Sequence, residues 1–500
     1  MSSVPIMNVL FVASEATPFV KVGGLADVAG SLPIALKKLQ SSTDPHQIEL
    51  DIRLVIPFHP IIQTESLGLI KITEFSIQTL SDEIRVQAYN FKYKGVPVYL
   101  IETPTIKTET AVYSADLEAD GYKYVSFSIA VLELAKNLGW KFNILHANDW
   151  HTAAAVYALA LKRSTDPFFH QAASLLTIHN LPFLGSMTSS ALKEFGLPAA
   201  NNSALPVWAQ HMALPLGLLA SDYIVAVSPE YAREILSVEF GSGLQSFLKT
   251  RQGVISGILN GLDTEKWEPS ADAVLVQNYS DIDLSAKYIN KTSLQENLGL
   301  EINPRIPVMA MVTRMDPQKG VDLAVDALRG LLQSPADLLS PFQMVFLGMG
   351  NTALEDEVRR LEKDFPQQVR ARIMFDERLS HNIYAGADML LMPSRYEPCG
   401  LSQMIAMRYG CVPIARATGG LSDTIIDAEE QDQSTGFLFK STDPVVLSHA
   451  IQRALQLYIE DPITWQAIQV RGMQQDFSWD RSAKEYLKKY QLLLGKRKKV

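Results

Sequence analysis

A carboxylate, a thiol, a basic residue and several glycines fall within one stretch, Pro393 to Asp423, PSRYEPCGLSQMIAMRYGCVPIARATGGLSD. Glu397-Pro398-Cys399-Gly400 reads as a tight turn after the apolar run of AGADMLLMPS. Leu401 to Tyr409 has helical spacing, ended by Gly410, and Cys411 to Ala415 is a second short apolar strand. Thr418-Gly419-Gly420-Leu421 then opens another helix. Two such turns lie at the carboxyl ends of parallel strands, where open α/β sheets bind ligands. Glycines at a helix start let backbone amides approach an anion. Glu397 offers a carboxylate to a neutral or cationic group beside that anion, and a sugar joined to a diphosphate has this form.

Further cations stand at comparable places. The apolar run Val308 to Thr313 ends in Arg314-Met315-Asp316-Pro317-Gln318-Lys319-Gly320. Arg314 and Lys319 project from one strand-end loop and suit a diphosphate, Arg as a bidentate partner and Lys as a point charge. Near the start, Asn8 to Ser14 reads as a buried parallel strand. It is followed by Lys21, Gly23-Gly24-Leu25-Ala26-Asp27 and a helix running to Leu39. Gly23 to Asp27 echoes Gly419 to Asp423, which points to two related helix-start anion sites, one in each half. Lys21, set among Phe19, Val20 and Val22, is read as facing phosphate.

Two strand ends carry polar groups without a metal spacing. Asn143 to His146 runs into His146-Ala147-Asn148-Asp149-Trp150-His151, and Ser174 to Ile178 into His179-Asn180. Two histidines and an aspartate invite a zinc reading, but the spacing matches no standard zinc motif, and no metal is expected. Asp281-Ile282-Asp283 resembles a metal-nucleotide triplet but precedes a helix away from any strand end, so capping is the better reading. Gly348-Met349-Gly350 does not extend to a dinucleotide fingerprint.

The elements that must position these groups form two α/β alternations. Strands are expected at Arg53 to Pro57, Val96 to Ile101, Asp222 to Ser228, Val254 to Leu259 and Gln343 to Leu347, with a hairpin excursion within 59–95. The domains read as 1–265, a linker with the start of the second domain at 266–306, the second domain at 307–478, and a helix with a basic tail at 479–500. Across the 500 residues hydrophobic content is 47% and charged content 20%, the balance of a globular protein with sizeable cores. The net charge of −9 lacks the basic stripe of a nucleic-acid binder. Lys496 to Lys499 reads as a solvated end. Two cysteines exclude a disulfide scaffold and fit a reducing compartment. No uncharged apolar run reaches membrane-spanning length, and the N-terminus has no signal-peptide pattern, so a cytoplasmic protein is expected.

The motifs KVGGLADV (21–28), HANDWH (146–151), TIHNL (177–181), ILNGLD (258–263), TRMDPQKG (313–320), PSRYEPCGLSQMIAMRYG (393–410) and RATGGLSDT (416–424) occur in an order that resembles the bacterial glycogen synthase and plant starch synthase family. The resemblance implies a GT-B fold: two Rossmann-like, doubly wound domains facing a cleft, with the last helix crossing back to the first domain. It also implies retaining transfer of glucose from ADP-glucose to the 4-hydroxyl of an α-1,4-glucan end, with no cofactor. The implied partners are ADP-glucose, ADP and glycogen, starch or maltooligosaccharides. By the same resemblance Lys21, Gly23, Gly24 and Asp27 belong to the donor site, as do Phe375, an aromatic for adenine, and Thr418, Gly419 and Gly420 beneath the diphosphate. Glu397, Cys399, Gly400 and Leu401 form the glucose-contacting turn. Arg314 and Lys319 serve the diphosphate, and Asp149, His179 and Asn260 the glucose and acceptor.

Two departures fall on the acceptor side. HMALPLGLLASD places Pro215 where the family has Lys, and 104–125 lacks the usual aromatic-Asp-Arg cluster. They leave open a transferase with another donor, such as UDP-glucose, or another acceptor. A non-catalytic glucan scaffold would need no diphosphate site. In the implied reaction, cations and helix starts stabilise charge growing on the departing diphosphate. Glu397 then binds sugar hydroxyls and developing positive charge rather than acting as a glycosidase nucleophile.

Overall fold

The computed structural model describes residues 6–39, 49–108, 111–334, 341–430 and 432–497. It contains two compact units, Met1–Gly261 with Trp479–Val500, and Leu262–Ser478. Part of the basic tail, Lys498 and Lys499, lies outside the described residues, whereas Lys496 and Arg497 finish a helix.

In the first unit the strands are β1 (Ile6–Val12), β2 (Glu49–Pro57), β3 (Ile70–Gln78), β4 (Glu83–Tyr93), β5 (Val96–Glu102), β6 (Ile144–Asn148), β7 (Ala173–Ile178), β8 (Tyr223–Ala226) and β9 (Ile255–Gly257). They form one sheet in the order β3-β4-β5-β2-β1-β6-β7-β8-β9. All pairs are parallel except β3–β4 and β4–β5, so the hairpin excursion adds two antiparallel pairings, both made by β4, to a parallel core. Near-continuous apolar runs such as VLFV and SLLTI are what a sheet covered on both faces requires.

The second unit has β10 (Val308–Val312), β11 (Gln343–Leu347), β12 (Val369–Arg372), β13 (Met389–Met392), β14 (Val412–Arg416) and β15 (Phe437–Phe439). The order is β12-β11-β10-β13-β14-β15, all parallel. The order in which the chain adds strands reverses between β10 and β13, and in the first unit between β1 and β6. Each reversal is a switch point, where loops splay apart and leave a crevice.

The helix Trp479–Arg497 belongs to the first unit. Trp479, Ala483, Tyr486, Tyr490 and Leu493 are buried in its core with residues of β1 and of the helix Gly24–Lys38. His146 fixes the helix there: one ring nitrogen meets the Tyr490 hydroxyl at 2.6 Å and the other the Thr177 hydroxyl at 2.8 Å. Residues 266–306, read above as linker and start of the second domain, lie in the second unit. There the helix Lys287–Asn297 is anchored by Lys291, paired with Asp388 at 2.7 Å. The Asp281–Asp283 triplet does not cap that helix, whose cap is Ala286. Asp283 caps the turn at Ser285, and Asp281 accepts from Gln474.

Candidate active site

At the second unit's switch point two strand-end loops are clipped together. After β10, the Asp316 carboxylate caps Gln318, and Gly320 turns with φ +67°. A Cβ on Gly320 would stand 2.2 Å from the Pro393 carbonyl oxygen, so only glycine allows the loops this close. After β13 the chain enters the Glu397 turn. Lys319 Nζ donates to Glu397 Oε2 at 2.6 Å, and Ser394 Oγ donates to the same oxygen at 3.0 Å. Glu397 is 4% exposed, and a cavity of about 50 Å³ beside the pair is lined by Lys319, Ser394, Glu397, Gly400 and Ser402. Removing either partner would leave a nearly buried charge uncompensated, a change that typically costs about 3–5 kcal/mol.

Arg314 is exposed and has no ion-pair partner among the described residues, so its guanidinium is open to an anion. Phe375 lies beyond the end of β12 and is 78% exposed, an apolar face without cover. Leu401 caps the helix Ser402–Arg408, and Cys399 is buried in the turn with its carbonyl accepting from Gln403. Gly400 takes φ +74°.

The glycine pair at 419–420 is placed as expected, but one amide is already used. Gly420 N–H donates to the Glu397 carbonyl at 3.0 Å, and its Cβ position lies 2.0 Å from the Cys399 carbonyl. Gly420 is therefore glycine because two backbones touch, and its amide is not free for phosphate. The helix that follows Thr418, Gly419–Thr424, is short.

At the first unit's switch point, the Glu15 carboxylate after β1 accepts the amides of Val22 and Gly23. Burial, partly offset by those two bonds, raises the Glu15 pKa above the ordinary carboxylate range. Gly23 is thus tied inward, while Gly24, the first residue of its helix, has no atom within 4 Å of its Cβ position. Lys21 does not stand free: it pairs with Asp27 at 2.8 Å on the surface. A phosphate role for Lys21 requires exchange of that partner.

After β6, Asp149 adopts φ +55° and points its carboxylate at the end of β7. Its Oδ1 accepts from His179 N–H at 2.7 Å and from Asn180 N–H at 3.3 Å. Burial overrides these bonds and lifts the Asp149 pKa to about 7. His179 bonds Asn148 through Nε2 at 2.9 Å, and burial lowers its pKa to about 3, so it is a neutral imidazole. Asn260 is buried, and its Oδ1 has no partner among the described residues. An unsatisfied buried acceptor is costly, and a ligand hydroxyl would satisfy it.

Of the two histidines of HANDWH, His146 holds the last helix with both ring nitrogens engaged, and His151 packs against the rings of Tyr113 and Tyr124 with its Nδ1 unpartnered among the described residues. Where the usual aromatic-Asp-Arg cluster is missing, Asp120 and Lys123 form a buried pair at 2.6 Å. Lys123 also donates to the Val112 carbonyl at 2.8 Å, which sets Tyr113 against Ser14. Pro215 is buried in the first turn of the helix Ala213–Ala220, where an unbonded amide is tolerated. Glu15, Asn148, Ser394 and Arg395 escape the sequence reading. The available signal was their position, within three residues of a strand end at a switch point.

Two parallel α/β units thus carry polar groups at both switch points, where sheets of this kind bind ligands, with a cation–carboxylate pair in the second. Residues 8–250 match the family model described as the starch synthase catalytic domain, and residues 295–464 that of glycosyl transferases group 1. The chain is 40% identical to a glycogen synthase of Thermotoga petrophila, over 98% of this chain and 99% of that one. It is 38% identical to a glycogen synthase of Syntrophotalea carbinolica, over 97% and 98%. The catalytic domain of starch synthase IV from Arabidopsis thaliana, solved with ADP and acarbose, superposes with a TM-score of 0.86 at 31% identity, covering 98% of this chain and 99% of that one. The chain belongs to the glycogen and starch synthase family.

Proposed function

We propose that the protein elongates α-1,4-glucans with ADP-glucose as donor. The observation that carries this reading is the Lys319–Glu397–Ser394 cluster at the second switch point, on whose first loop Arg314 has no ion-pair partner among the described residues. In the step, the bond between the anomeric carbon and the β-phosphate oxygen breaks, and its electron pair leaves with ADP. The acceptor 4-hydroxyl attacks from the same face and gives its proton to the departing phosphate, so configuration is retained. Arg314 and Lys319 hold the growing negative charge, the kind of preorganised term worth about 10²–10³-fold per group. Glu397 orients sugar hydroxyls and faces the positive charge developing on the ring. Asn260, with an unsatisfied acceptor, accepts a hydrogen bond from a sugar hydroxyl, and Asp149 holds the His179–Asn180 backbone against the sugar. The reading needs no metal. Cys399 and Cys411 form no disulfide, which suits a reducing, cytoplasmic setting.

The test is transfer of labelled glucose from ADP-glucose or UDP-glucose to glycogen, maltooligosaccharide or no acceptor. Amylase-sensitive incorporation from ADP-glucose is expected. Incorporation from UDP-glucose alone would overturn the donor. A second reading, an altered acceptor, rests on Pro215, which replaces a cation with a buried ring in the first unit. A ranking that puts a non-glucan acceptor above glycogen would favour it.

A further inference from the structure

Arg416 ends β14 and is only 9% exposed. A buried guanidinium is costly unless its donors are used. Here they go to main-chain carbonyls: Nε to Lys440 at 3.0 Å, and Nη1 to Ser394 at 3.4 Å and to Arg395. Lys440 follows β15, and residues 394–395 follow β13. Arg416 therefore ties three adjacent strand ends together and grips the peptide two residues before Glu397.

Arg395 continues the tie to β10. Its amide donates to the Gln318 carbonyl at 2.8 Å, and its guanidinium to the Pro317 carbonyl at 2.7 Å. The same guanidinium forks onto Asp322 at 2.8 and 2.6 Å. Gln318 Nε2 returns a bond to the Tyr396 carbonyl at 3.1 Å. Every one of these bonds except that to Lys440 lands within three residues of Lys319 or Glu397, yet neither arginine is hydrogen-bonded to either side chain. The fork is bidentate and spans loops distant in sequence, a geometry that fixes orientation as well as distance.

We propose that Arg416 and the Arg395–Asp322 pair are positioning residues that set the Lys319–Glu397 pair for glucosyl transfer. This rests on the functional reading above. Arg416→Lys keeps the charge but cannot span the strand ends, and Asp322→Asn keeps the shape but weakens the fork. Each variant is expected to lower kcat by about tenfold or more while the Kd for ADP stays within about twofold, since a small misplacement of reacting groups is costly to rate. In a Glu397→Gln background, Arg416→Lys should add less than about a twofold loss, because its effect passes through Glu397. A multiplicative loss in that background, or wild-type kcat in Arg416→Lys, overturns the proposal.

Hydrogen exchange by mass spectrometry gives a readout that does not depend on turnover. Peptides covering 393–401 and 316–322 should exchange faster in both variants, with 343–372 unchanged. Unchanged exchange at 393–401 also overturns the proposal. If the wild type transfers glucose from neither donor, the functional reading fails, and the exchange data still decide whether the arginines position the pair.

Discussion

The two units solve one topological problem in opposite electrostatic ways. Both place their polar groups where strand order reverses, after β1 and β6 in one and after β10 and β13 in the other. In the first unit Glu15, Asp149 and His179 are buried without counter-charges: Asp149 rises to about 7 and His179 falls to about 3. In the second, a lysine and a glutamate are paired at 2.6 Å. Burial makes a site sensitive to pH, whereas pairing makes it sensitive to loss of a partner.

The largest effect is expected from breaking the pair. Glu397→Gln should lower turnover by about 10²-fold or more with ADP affinity little changed, and Lys319→Ala should lower both. Calorimetry with ADP and initial rates separate the two, and unchanged ADP affinity in Lys319→Ala would remove Lys319 from the diphosphate site. Next comes Gly420→Ala, whose Cβ would stand 2.0 Å from a backbone oxygen, against Gly24→Ala, which meets nothing within 4 Å. The first should lower Tm or fail to fold. The second should fold normally and raise the donor KM several-fold; a wild-type KM would show that nothing approaches Gly24.

A smaller effect concerns pH and rate. The carboxylate of Asp149 ionises as pH rises through about 7, so kcat/KM should climb across that value if its charged form holds the His179–Asn180 backbone. Asp149→Asn should flatten that limb, and a limb that persists would assign it to another group.

The smallest effect concerns stability. Burial holds His59 at about 4, His179 at about 3, and His146 and His151 well below the ordinary value. The unfolded chain binds these protons near pH 6.5 while the folded unit does not, so stability falls as pH drops below that value. Glu15 and Asp149, with raised pKa values, act in the opposite sense, favouring the folded unit as pH falls toward the ordinary carboxylate range. Four imidazoles outweigh two acids. In the second unit, hydrogen bonding from Arg395 lowers Asp322. Burial raises Asp272, but bonds from Tyr409 and His381 more than reverse it. Both contribute stability lost only below the ordinary carboxylate range. Hydrogen exchange at pH 7 and 5 should therefore loosen 6–261 before 262–478, and the reverse order would contradict the contrast.

Strand positions and the strand-end motifs were legible because a parallel sheet writes its buried strands as short apolar runs and its loops as glycine and charge. Partner choice was not. Nothing in the spacing of Lys21 shows that it meets Asp27, or in that of Lys319 that it meets Glu397 across a long loop. The Gly420 amide looked free because its acceptor, the Glu397 carbonyl, is a main-chain group that every residue carries. Nothing in its type or spacing singled out Arg395, since its role comes from register between β10 and β13.

The chain leaves the first unit after Gly261 and returns to it at Trp479. During synthesis, residues 262–478 are contiguous and can close as soon as they emerge. The earlier-made unit waits, its apolar groove beside β1 and the helix Gly24–Lys38 open until Tyr486, Tyr490 and Leu493 arrive. A chain made without the helix Trp479–Arg497 therefore leaves that apolar groove of the first unit exposed to aggregation and proteolysis.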